Sequence, residues 1–258
     1  MLLNIAAKLD YFFAAPTDCL MQFEAAHQPD QSVVQATLDT GPTEAFARGP
    51  AEEGIGERIW AHFDGRMTWH YKAQVRVTRP CPDLAALPAT ALRRLPPDVV
   101  KYVFTSRYCP SDKFYSFVAA DFGKLSGGAQ VLAMRDWIEQ NFSYVPGVST
   151  SDTSALETFV MRQGICRDFA HVLITLCRAS AIPARLVSVY GLGVTPQDFH
   201  AVVEVYLDGA WYLVDPTGMC RPDQMVRICV GRDAADVAFL TSFGQADLQS
   251  QWVDVQAA

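Results

Sequence analysis

Between Arg66 and Val77 the chain alternates without a break. Met67, Trp69, Tyr71, Ala73, Val75 and Val77 are apolar, and Arg66, Thr68, His70, Lys72, Gln74 and Arg76 stand between them. A period of two belongs to a strand with one buried and one wet face, so this part of the chain has to build a sheet and cover it. Ile59 to Phe63 come just before, and Asp64-Gly65 between two such runs predicts a hairpin. Leu3 to Phe13, Leu20 to Ala25 and Val33 to Leu38 are further candidate strands. Several short strands separated by turn residues predict a small β-sandwich over residues 1–80.

Residues 81–122 differ in character. Pro80, Pro82, Pro88, Pro96, Pro97 and Pro110 punctuate this region, which predicts a proline-rich linker with at most short helices. From residue 123 helical periods begin. Gln130 to Gln140 carries Val131, Met134, Trp137 and Ile138 on one side. Ser154 to Arg162 is a shorter helix, capped by Thr153 or Ser154 with Glu157 nearby. Cys166 to Ser180 is the strongest helix. Ala184 to Tyr190, His200 to Leu207 and Trp211 to Asp215 then read as strands. Helices followed by antiparallel strands make residues 123–258 an α+β domain.

Bulk properties exclude several functions. The net charge is −7, with 21 basic residues that form no block and no aromatic–basic stripe, so nucleic acid is not an expected partner. No apolar run approaches the ~20 residues of a membrane span. Met1 to Ala15 holds Lys8 and Asp10, lacks a basic leader, and reads as a strand rather than a targeting segment. The seven cysteines are odd in number and widely spaced, with no CxxC, which argues against a disulfide framework or a zinc site. Reduced thiols and a cytoplasmic location are the expectation. His27, His62 and His70 suggest no metal cluster, and no cofactor is expected.

One cysteine sits where chemistry is favoured. Gln163-Gly164-Ile165 leads into Cys166, which falls in the first turn of its helix. There the unpaired backbone N–H groups and the positive end of the dipole favour a thiolate, the reactive form, and can also donate to an oxyanion. Gly164 allows a tight turn before it. Phe169, Ala170, Leu173 and Cys177 share its helix face, so a buried core thiol is the plain alternative; mid-helix Cys177 takes that reading outright.

A histidine and an aspartate lie on a predicted hairpin. His200 opens one strand, Asp208-Gly209 is a two-residue turn, and the return strand ends at Asp215 before Pro216. With Leu207 opposite Ala210, Asp215 lies opposite Val202, on the face of His200 and diagonal to it. Diagonal neighbours are ~7–8 Å apart at Cβ or less, within side-chain reach. An aspartate there fixes the tautomer of the histidine, which can take the thiol proton. An edge-strand histidine and a turn-initiating Asp-Pro are the structural alternatives; the three residues together, in this order, point to a Cys166–His200–Asp215 site.

Gly164-Ile165-Cys166-Arg167-Asp168-Phe169-Ala170-His171, Ile182-Pro183-Ala184-Arg185, Asp198-Phe199-His200-Ala201 and Asp215-Pro216-Thr217 resemble the transglutaminase-like superfamily, and within it the bacterial cysteine-protease-type group. Ser106-Arg107-Tyr108, Gly231-Arg232-Asp233 and Asp236-Val237 are similar to that group, over residues 104–245 in all, and residues 1–80 to its β-rich N-terminal region. The resemblance implies a papain-like core of helices and antiparallel sheet, with the triad on Cys166, His200 and Asp215. It also implies a second oxyanion donor upstream of the nucleophile, for which Tyr144 is the candidate beside a plain core role. Asp168 suits the helix dipole or the site rim. His171 is expected on the polar or packing side of its helix, and Arg232 and Asp233 either pair or line the cleft.

The expected reaction is cleavage of a peptide or other amide bond through a thioester. Amine transfer differs only in the second step, and a non-catalytic binding module on the same scaffold is the alternative from another class. A peptide or protein amide is the expected partner.

Overall fold

In the computed structural model, which describes residues 1–41, 43 and 45–258, the alternating run is the second half of a longer strand. The strands are β1 (Leu2–Met21), β2 (Gln31–Asp39), β3 (Ala45–Pro50), β4 (Glu57–Val77), β5 (Ser143–Tyr144), β6 (Gln163–Gly164), β7 (Ala184–Gly191), β8 (His200–Leu207), β9 (Ala210–Val214), β10 (Met225–Gly231), β11 (Leu240–Ser242) and β12 (Asp247–Ala257). The helices are α1 (Tyr115–Asp121), α2 (Gly127–Asn141), α3 (Ala155–Met161), α4 (Cys166–Ala179) and α5 (Ala234–Val237).

The expected hairpin at Asp64-Gly65 is not formed. β4 runs straight through it, antiparallel to β1. Gly65 takes φ +77° opposite Phe13, and pairing resumes at Thr17 opposite Phe63. Ala14, Ala15 and Pro16 therefore bulge against Asp64, and the two strands bend together instead of reversing. A positive-φ glycine serves a bulge as readily as a turn. Odd-numbered residues stay on the inner side across the bend, from Leu3 to Phe13 on β1 and from Ile59 to Val77 on β4.

The N-terminal region is one bent sheet and not a two-sheet sandwich. β1 and β4 are its centre; β12 and β2 flank one lobe, β11 and β3 the other. Residues 240–257, expected within the C-terminal domain, thus supply two of the six strands. Trp69 ties the lobes together, packing on Phe63 at 5.5 Å, Phe23 at 5.6 Å and Phe46 at 6.1 Å. Burying a ring of this size contributes roughly 4–6 kcal/mol.

The second sheet, in order β10-β7-β8-β9, is antiparallel throughout and packs on α4. Asp208 and Gly209 both have positive φ, +47° and +81°, as a tight turn matching the strand twist requires. Val203 pairs with Val214 and Leu207 with Ala210, the register read from the sequence. α4 is buried on nearly every side, since the face away from the sheet is covered by residues 102–114, which include parts of two short 3₁₀ turns. Tyr102 and Cys109 there are wholly buried.

One apolar core runs from β1 and β4 to α4. Beside it a buried charge network ties the second sheet to turns of the N-terminal region. Glu204 accepts from Arg185 Nε at 2.8 Å and Arg227 Nε at 2.6 Å, and those arginines reach Glu53 and Asp30. Among the described residues no helix is long and apolar enough to cross a membrane.

Candidate active site

Cys166 starts α4, and two devices hold it there. Asp168, fully buried, turns back so that Oδ2 accepts from Ile165 N at 2.9 Å, capping the helix. Arg167 closes on the other carboxylate oxygen at 2.9 Å and donates to Thr150 O at 2.7 Å. Gly164 is needed for space and not for an unusual φ: a Cβ on it would lie 2.7 Å from both Cβ and Oδ2 of Asp168. Asp168 is therefore a clamp beneath the helix tip, not a rim residue.

β5 and β6 place the tyrosine. They pair in parallel, Tyr144 beside Gly164, and Val145 N donates to Gly164 O at 2.9 Å. Two residues before Cys166 in space, Tyr144 brings its hydroxyl against both the backbone N–H and the sulfur of Cys166. Burial first, then the neighbouring sulfur, hold the phenol well above its ordinary range, so it remains an O–H donor.

His200 and Asp215 meet as the diagonal register requires. His200 Nε2 and Asp215 Oδ2 are 2.9 Å apart, with both side chains buried. Nδ1 of His200 is buried without a hydrogen-bond partner, and Cys166 is the group that acts on the ring electrostatically besides Asp215. Burial alone would lower the imidazole's pKa; Asp215 and Cys166 outweigh it and raise it to about 10. Both partners thus favour the imidazolium over the neutral ring. Burial likewise pushes Asp215 up, but His200 and Thr217 reverse this and hold its carboxyl below the ordinary range. Thr217 N and Oγ1 donate to Oδ1 at 2.9 and 2.7 Å, and Cys220 N donates to Oδ2 at 3.0 Å. The Thr217 and Cys220 bonds went unread in the sequence, where only the run Asp215-Pro216-Thr217 hinted at them.

The remaining candidates are structural. Of its two expected placements His171 takes the packing one: it is fully buried and stacked on Tyr108 at 5.1 Å. Its Nε2 accepts from Ala234 N at 3.2 Å, and burial drops its pKa to about 3, so it is neutral. Arg232 pairs with Asp236, while Asp233 caps α5 and accepts from Tyr108 N at 2.9 Å. Burial pushes the thiols of Cys109, Cys177, Cys220 and Cys229 up to about 12. Among the described residues no cluster of His, Cys, Asp and Glu fit to hold a metal ion occurs. A cavity of about 490 Å³ along β9 is lined by Asp215 and Cys220 but by none of Cys166, His200 and Tyr144.

The family model of the transglutaminase-like superfamily matches residues 117–216. A solved structure of a candidate cysteine protease from Cytophaga hutchinsonii superposes with a TM-score of 0.92 at 31% identity, over 99% of this chain and 90% of that one. An uncharacterised protein of Mycobacterium leprae is 32% identical over 117 residues, and one of Mycobacterium tuberculosis 29% identical over 133. These matches cover 42% and 46% of this chain, and 42% of the length of each curated relative.

Proposed function

Since the chain belongs to the transglutaminase-like superfamily, and is by that kinship a thiol-dependent kind of enzyme, we propose that it cleaves amide bonds of peptides or proteins, with Cys166 as nucleophile, His200 as acid and base, and Asp215 as the group that orients the imidazole. The observation that carries this reading is the buried His200, bonded through Nε2 to Asp215 and within electrostatic reach of Cys166. Asp215 keeps the proton on Nε2, and the imidazolium form stabilises a nearby thiolate.

The steps follow from the placement. Cys166 Sγ attacks the amide carbon, and the carbonyl oxygen becomes an oxyanion. Backbone N–H of Cys166 and hydroxyl of Tyr144 converge beside the sulfur and donate to it. His200 gives its proton to the leaving amine as the C–N bond breaks, leaving a thioester. His200, now neutral, takes a proton from water, which attacks the thioester and releases the acid and the thiolate.

The test is digestion of a peptide library by the wild type and by Cys166→Ala, with and without an added primary amine. Expected are new N-termini in the wild-type digest alone, and hydrolysed rather than amine-linked acyl products. Identical digests from the two proteins would overturn the reading; amine-linked products as the main species would replace hydrolysis with amine transfer.

A further inference from the structure

His200 is the first residue of β8, so the loop before it, residues 192–199, decides where the imidazole stands. At its far end this loop is held by Leu192 N donating to Gln224 O at 3.1 Å. Next to His200 it is held from outside its own sheet. Gln197 Nε2 donates to Val255 O at 3.1 Å, and Val255 N donates to Gln197 Oε1 at 3.1 Å. Gln251 donates to Asp198. Phe199 stacks on Phe239 at 4.9 Å and packs on Tyr190 at 5.4 Å. Val255 and Gln251 both belong to β12, the edge strand that pairs with β1. An edge strand leaves alternate N–H and C=O groups unpaired, and the amide of Gln197 satisfies one such pair as a neighbouring strand residue would.

We propose that β12, through Gln197, positions His200 for the reaction, so that the bent N-terminal sheet serves catalysis by anchoring the histidine loop. This rests on the reading of Cys166 and His200 as nucleophile and base. Gln197 does not touch the reacting atoms; it is a positioning residue. The two consecutive residues between it and His200 are also tied, one to β12 and one to Phe239. The Gln197 bonds are only part-buried, so water can replace them when the side chain is shortened and folding is little affected. What is lost is placement, to which reacting groups are steeply sensitive.

The experiment is alkylation of Cys166 by iodoacetamide as a function of pH, in a Cys81→Ser background that removes the exposed thiol. The proteins compared are the wild-type site, Gln197→Ala, Gln197→Glu, Gln251→Ala and His200→Ala. Gln197→Ala is expected to slow labelling at about pH 6 roughly tenfold and to move the profile toward that of His200→Ala, with an unchanged urea midpoint. Gln197→Glu, which keeps the acceptor for Val255 N, falls between, and Gln251→Ala shows a smaller loss in the same direction. A Gln197→Ala profile equal to wild type at every pH would overturn the positioning role alone. Coincidence of wild type and His200→Ala would overturn the nucleophile–base reading and this inference with it. If Gln197→Ala does not fold, Gln251→Ala decides, and a profile equal to wild type counts against the role.

Discussion

Asp215→Asn tests the charge arrangement most directly, because four donors converge on this carboxylate. His200 Nε2, Thr217 N, Thr217 Oγ1 and Cys220 N all point at its two oxygens. An amide has one acceptor atom, so its NH₂ must confront donors on one side. Turned toward His200, it forces Nε2 to accept and moves the ring proton to Nδ1, so the neutral ring has no free nitrogen left to take a thiol proton. The gap between a pKa of about 10 and the ordinary 6.5 corresponds to roughly 5 kcal/mol favouring the imidazolium, shared between Asp215 and Cys166. Without the carboxylate, burial is opposed by Cys166 alone and the pKa falls. In the wild type, the raised pKa means that this stabilisation is complete below 6.5 and is lost as pH rises through about 10; the variant lacks that alkaline loss. Histidine-selective NMR over the titration measures the ring directly, and alkylation of Cys166 reports the consequence. The expected activity loss is on the order of 10³- to 10⁴-fold, as when the tautomer flips in serine triads. A wild-type His200 titrating near its ordinary value, or a variant still protonated at about pH 9, would refute the reasoning.

Two further outcomes are expected. Tyr144→Phe removes the hydroxyl beside the Cys166 N–H and should lower kcat on the order of a hundredfold with little change in KM or in the His200 titration; an unchanged kcat in steady-state assays returns Tyr144 to a packing role. Glu204→Gln leaves Arg185 and Arg227 facing a neutral partner in a fully buried position, and should cost about 3–5 kcal/mol in urea unfolding while the folded fraction keeps its labelling profile; a midpoint within error of wild type would mean that the arginines find other partners.

Legibility in the sequence follows the range of each interaction. The β8–β9 hairpin is local, so a two-residue turn and the parity of the strands were enough to bring His200 and Asp215 to one face. Cys166 was legible because a helix tip is a local feature. Asp64-Gly65 misled because a positive-φ glycine serves a turn and a bulge alike, and only the pairing partner, β1, separates them. For His171 the polar-side and helix-packing readings stay open in the sequence, because the polar residues of α4 mark the side away from the sheet without saying what lies there. The answer, Tyr108 and its neighbours, comes from a stretch more than sixty positions earlier. The pairing of β12 with β1 left no local signal.

That pairing has a consequence for biosynthesis. β1 and β12 are separated by more than two hundred residues, so β1 waits beside β4 with one edge open while the rest of the chain is made. Nucleophile, base and carboxylate have all been translated before Val255 exists to meet Gln197. On the proposed reading, a nascent chain carries Cys166, His200 and Asp215 before it has the strand that would anchor the histidine loop.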